Sequence, residues 1–173
     1  KAMNVILIGM PGVGKSTIGV LLAKALGYSF VDTDLIIQAK SGRKLADIIA
    51  GDGADAFEAL ENEALESVEA DKTVVATGGS AVFCAAGMEK LKSRGVAVYL
   101  RLPADELAKR LGNIRTRGVV MREGETVADL AAERAPYYEK YADITVDETA
   151  GIEDTVEKVL SALAAMPDSI KDR

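Results

Sequence analysis

Gly9-Met10-Pro11-Gly12-Val13-Gly14-Lys15-Ser16-Thr17 has the spacing G-x-x-x-x-G-K-[ST] of a phosphate-binding loop. Its glycines let the backbone curl so that successive N–H groups face one point. The helix expected to follow adds the positive end of its dipole. Gly12, Val13, Gly14, Lys15, Ser16 and Thr17 are therefore candidate nucleotide-binding residues, with Lys15 reaching the β- and γ-phosphates and Ser16 placed to ligate Mg²⁺. Asp32-Thr33-Asp34 offers two carboxylates for two tasks. One can hold Mg²⁺ through water, and the other can take a proton from an attacking hydroxyl. A purely structural alternative has Asp34 capping a helix. Gly78-Gly79 would let a backbone approach a ligand closely, although an ordinary turn explains the pair equally well. Arg110, Arg115, Arg117 and Arg122 are candidates for clamping phosphates or stacking on adenine. Arg134 is a candidate anchor for a substrate anion. These residue types point to a nucleoside triphosphate and leave its phosphate acceptor open.

The elements that must position them alternate along the chain. Asn4-Val5-Ile6-Leu7-Ile8 reads as a buried parallel strand, and residues 17–26 as a helix closed by Gly27. Further strands are expected at 28–31, 72–77, 96–100 and 144–146. Helices are expected at 86–94, 103–112, 126–141 and 152–165, with Pro136 kinking or breaking the third of these. Residues 34–70 read as mostly helical, turning at Ser41-Gly42 and Gly51-Asp52-Gly53. Strands alternating with helices predict an α/β fold, a parallel sheet covered on both faces. In such sheets a ligand sits beyond the carboxyl ends of the strands, where Asp32, Asp34 and Gly78-Gly79 fall.

The 173 residues suit one domain over 1–173 with a sizeable core. A net charge of −6 argues against a general nucleic-acid binder, although residues 109–122 hold five lysines or arginines. Histidine is absent, which removes imidazole general-base catalysis and His-ligated zinc. Proton acceptors must be sought mainly among carboxylates. The single cysteine, Cys84, forms no internal disulfide and suits a reducing compartment, and the expected location is the cytoplasm. No apolar run reaches the roughly 18 residues of a membrane span, and no leader-like stretch precedes the first strand.

The ordered set of motifs resembles shikimate kinase over about residues 4–149. The resemblance is carried by the phosphate loop, Asp32-Thr33-Asp34, Gly51-Asp52-Gly53 leading to Phe57, Gly78-Gly79, Arg117, and Arg134-Ala135-Pro136-Tyr137-Tyr138. It implies a three-layer P-loop kinase fold with a five-stranded parallel sheet in the order 2-3-1-4-5. It also implies a substrate-binding helical part at about 33–70 and a mobile lid at about 113–125. The implied reaction is transfer of the γ-phosphoryl group of Mg-ATP to the 3-hydroxyl of shikimate by a monomer acting on a small molecule. The likeness assigns Lys15 and Asp34 to catalysis, and Ser16 and Asp32 to the metal. Arg110 and Arg117 fall to the nucleotide. Asp34, Phe57, Glu58, Gly78, Gly79 and Arg134 fall to the acceptor.

Three departures stand out. The family has an arginine after the phenylalanine that helps hold the shikimate carboxylate; here Glu58 stands there, one helical turn from Glu61. Ser80 replaces a third glycine. The lid's Arg-Pro-Leu-Leu becomes Arg117-Gly118-Val119-Val120, and Gly118 is expected to loosen it. Glu58 opens an alternative acceptor bearing an amine, a hydroxy-amino acid or an aminated shikimate analogue. A non-catalytic nucleotide-binding protein is a second alternative. No Asn-Lys-x-Asp guanine signature is present.

Overall fold

The computed structural model describes residues 3–112 and 118–171. Its strands are β1 (Asn4–Ile8), β2 (Ser29–Asp32), β3 (Thr73–Ala76), β4 (Gly95–Arg101) and β5 (Ile144–Asp147). They form one parallel sheet in the order β2-β3-β1-β4-β5. The three inner strands are buried along nearly their whole length. That is why they read as unbroken apolar runs: each must be covered on both faces. The edge strands β2 and β5 are only partly covered.

The helices are α1 (Lys15–Leu26), α2 (Thr33–Ser41), α3 (Leu45–Asp52), α4 (Ala54–Glu66), α5 (Ala85–Lys92), α6 (Ala104–Leu111), α7 (Val127–Tyr141), α8 (Ile152–Ala164) and α9 (Asp168–Lys171). Helix α1 packs on β2, β3 and α8, whereas α5 and α7 pack on β4. The main core joins the strands to Ile18, Leu22, Met88, Leu107, Tyr138 and Val159. A second, smaller core of Ile37, Ile48, Phe57 and Ala64 lies under α2–α4, with Val120 packed against it. The segment expected to hold the acceptor thus has its own packing, distinct from the sheet.

Three local differences from the sequence reading have simple causes. Helix α1 starts at Lys15, two residues early, because Gly14 sits in the left-handed region at φ 91° and turns the chain directly into the helix. Pro103 caps α6 from outside. Pro136 lies inside α7 without breaking it; the helix is held by a Thr126–Asp129 capping box at its start and by burial of Leu130, Arg134, Tyr138 and Tyr141.

Candidate active site

The carboxyl ends of β1, β2 and β3 open onto a cavity of about 430 Å³. Its lining includes Gly12, Gly14, Lys15, Ser16, Thr17, Asp34, Phe57, Glu61, Gly78, Gly79, Ser80 and Arg134, with Gly118, Val119 and Val120 from the lid segment. Two halves meet here, the loop between β1 and α1 and the wall around Gly78-Gly79 where the acceptor is expected.

The first half is the loop between β1 and α1. Gly12 lies at φ 88°, and a Cβ there would sit 3.0 Å from Leu111 Cδ2. Lys15 is buried, and its Nζ donates to the carbonyls of Gly9 at 2.6 Å and Met10 at 2.9 Å. Burial lowers its pKa to about 8, against the pull of Asp34. Val13 is a core residue whose N–H turns to the Met10 carbonyl at 3.4 Å, and it does not line the cavity, unlike its neighbours Gly12 and Gly14. Arg110 donates to the Gly12 carbonyl at 3.3 Å and pairs with Glu148 at 3.2 Å. The structure therefore brings Arg110 to the phosphate loop. Arg115 and Arg117 lie outside the described residues.

Ser16 Oγ donates to Asp32 Oδ2 at 2.7 Å, while Asp32 Oδ1 accepts from the Asp34 N–H at 2.9 Å. Asp32, not Asp34, is thus the cap of α2. That frees the Asp34 side chain, whose Oδ1 is buried without a hydrogen-bond partner among the described residues. Ser16 and Asp32 fit a Mg²⁺ ion. Both present hard oxygen donors beside the phosphate loop, and Mg²⁺ commonly takes one or two protein oxygens, completing its shell with water and phosphate. Burial, followed by the charge of Asp32, raises the Asp34 pKa to about 6. Asp34 is therefore more basic than an exposed carboxylate.

The acceptor side is built around Gly78-Gly79. A Cβ on Gly78 would lie 2.5 Å from Glu61 Oε2 and 2.8 Å from Asp34 Oδ1. One on Gly79 would lie 2.6 Å from Pro11 Cδ and 3.0 Å from Arg134 Nη1. The glycines are needed for close approach, which settles the choice between an ordinary turn and a packed one. Tyr138 OH fixes the loop by donating to the Gly79 carbonyl at 2.5 Å. Arg134 is buried on α7, donates to the Val120 carbonyl at 3.1 Å, and stands 5.7 Å from the centre of the Phe83 ring. Its Nε has no partner among the described residues. Phe57 lines the cavity from the smaller core.

Glu58 is not brought to this cavity. It is exposed and lines a separate cleft with Asp55, Asn62, Phe83 and Cys84. The feature that suggested an amine-bearing acceptor therefore faces away from the pocket. Ser80 adopts φ −98° and ψ 3°, open to any residue. Gly118, by contrast, has φ +70°, which proline cannot reach, and a Cβ there would lie 2.6 Å from Leu45 Cβ. Glycine at this position is a requirement of the local path rather than only a loosening of the lid.

Glu61 is wholly buried; its Oε1 accepts from Ser80 Oγ at 2.6 Å, and Oε2 has no partner among the described residues. Burial raises its pKa to about 7, and the Ser80 hydrogen bond lowers it in part. Because the folded value exceeds the ordinary 4.5, the stability that neutral Glu61 contributes is complete below about pH 4.5 and is lost as pH rises toward 7. The gap corresponds to about 3 kcal/mol. Glu61→Gln cannot ionise, so its melting temperature relative to the wild type should rise between about pH 5 and about pH 8. Calorimetry at the two pH values checks this, and an equal difference at both would contradict it.

Glu148 escaped the sequence reading. It is buried directly after β5, accepts from Arg110, and has its pKa raised by burial. Its place at a strand's carboxyl end was the available signal.

The family model described as shikimate kinase matches residues 11–164. Shikimate kinase 2 of Yersinia enterocolitica is 38% identical over 170 residues, covering 93% of this chain and 95% of that protein. Shikimate kinase of Acinetobacter baumannii, solved in complex with shikimate, superposes with a TM-score of 0.86 at 32% identity, over 95% of this chain and 94% of the other. The Aquifex aeolicus shikimate kinase gives 0.81 at 31% identity, over 94% and 96%. With this sheet order, this phosphate loop and these relatives, the chain belongs to the shikimate kinase family.

Proposed function

We propose that this protein transfers the γ-phosphoryl group of ATP to the 3-hydroxyl of shikimate. The observation that carries the reading is one cavity holding Lys15 and Ser16 at one end and Asp34 and Arg134 at the other. Lys15, with the start of α1, holds the β- and γ-phosphates and balances charge on the transferring group. Asp34 orients the acceptor hydroxyl and takes its proton as the new P–O bond forms and the bond to the ADP oxygen breaks. Arg134 holds the acceptor's carboxylate. Ser16, and Asp32 through water, would hold Mg²⁺, which when bound would neutralise phosphate charge. Arg110 steadies the phosphate loop from the nucleotide side.

The proposed catalyst is a monomer acting on a small molecule. The lone, buried Cys84 suits a reducing cytoplasm. Among the described residues, no helix is long and apolar enough to cross a membrane. A coupled ADP-release assay tests the reading: ADP should form with shikimate and Mg-ATP, and not with ATP alone or with hydroxy-amino acids.

Water must be kept from the phosphoryl group during transfer. Val119 and Val120 line the cavity, and Arg134 ties the Val120 carbonyl to α7. Residues 118–125 should therefore exchange amide hydrogens fast in the free protein and slowly with nucleotide and shikimate together. Equal exchange in both states would remove the lid from the account.

A further inference from the structure

Two departures from the family pattern meet at one side chain. Glu61 would pair with an arginine at position 58; here position 58 is a glutamate that faces another cleft. Ser80, standing where the family has glycine, donates to Glu61 Oε1 at 2.6 Å. The serine thus takes up one oxygen of a carboxyl group that has no arginine. The other oxygen, Oε2, packs on Gly78 beside Asp34 Oδ1, and neither has a hydrogen-bond partner among the described residues. Two unpartnered carboxyl oxygens against one glycine is an unfavourable arrangement if both groups are charged.

We propose that Glu61, held by Ser80, determines which acceptors the pocket takes: as a neutral acid it admits a carboxylate-bearing acceptor beside Arg134, and as a carboxylate it repels one. The inference rests on the shikimate reading. An anion entering this cavity meets Arg134 as its cation on the acceptor side, with Asp34 charged to receive the hydroxyl proton. A second negative charge on a fully buried wall would act through a poorly screening medium and offset much of what Arg134 contributes. Neutral Glu61 removes that charge without needing the missing arginine.

The groups that face Glu61 divide in sign. Asp34 from α2 and Glu58 from its own helix favour the neutral form, and burial does so most strongly. Arg134 from α7 and the Ser80 hydroxyl oppose it. Cys84 and Tyr138 also lie within its field; both are themselves held neutral by burial. The balance places the change near pH 7, within the range where the enzyme can be assayed.

The test is the KM for shikimate at saturating Mg-ATP from about pH 6 to about pH 8.5. If only the neutral form accepts the substrate, KM should rise roughly ten- to thirty-fold across that range. Glu61→Gln should abolish the rise. Ser80→Ala removes a bond that favours the ionised form, so the midpoint should move to higher pH. That upward move separates a charge effect from loss of shape, which would not shift a titration in one direction. A flat wild-type KM, or a rise that persists in Glu61→Gln, overturns the inference while the shikimate reading stands. A Ser80→Ala midpoint that stays in place or falls overturns the role of Ser80. Absence of shikimate phosphorylation at every pH overturns the functional reading and, with its ligand gone, this inference too.

Discussion

Lys15→Ala is expected to lower turnover by about a thousand-fold or more. The side chain is buried, and its ammonium lies within hydrogen-bond distance of two loop carbonyls, Gly9 and Met10. Phosphates entering the loop give Lys15 far better partners, because charged acceptors outbid neutral carbonyls for a cation. A thousand-fold corresponds to about 4 kcal/mol of transition-state stabilisation, a usual size for one preorganised charge in a closed site. The fold should survive. Burial already disfavours this charge, as its lowered pKa of about 8 shows, so losing it also relieves a desolvation cost. Near-wild-type turnover by the purified, folded variant would contradict the role.

The second large effect is expected at Asp34. Asp34→Asn keeps the shape and part of the hydrogen bonding but removes both charge and base. Turnover should fall by about a hundred- to ten-thousand-fold, while nucleotide affinity should change by less than about ten-fold. The structure gives the reason for the split. Asp32 holds Ser16 and caps α2, whereas the Asp34 carboxyl oxygen points to Gly78 on the acceptor side. Collapse of nucleotide binding with turnover preserved would move Asp34 to the nucleotide side.

Much of this was legible in the residues. The phosphate loop is local in sequence, and its glycines, lysine and serine fall within nine positions; no long-range packing is needed to recognise it. The sheet was readable because strands covered on both faces are apolar throughout. Which carboxylate caps α2 was not readable. Asp32 and Asp34 differ only in where the helix begins, and that depends on how β2 ends against β3. The direction of Glu58 was hidden for a related reason. Glu58 and Glu61 share a helical face by spacing, yet packing of Phe57 and Glu61 against the core and Gly78 turns Glu58 outward. Glu148 depended on a contact 38 residues away, with Arg110.

One pocket joins ATP to the hydroxyl of shikimate. The most direct test of this follows the phosphorus itself. The protein is incubated with Mg-ATP and shikimate, and the products are read by phosphorus NMR and mass spectrometry. Equal amounts of ADP and a shikimate monoester carrying the phosphoryl group on the 3-hydroxyl are expected, with inorganic phosphate a minor product. ATP consumed to inorganic phosphate, or left intact while shikimate is present and unmodified, would contradict it.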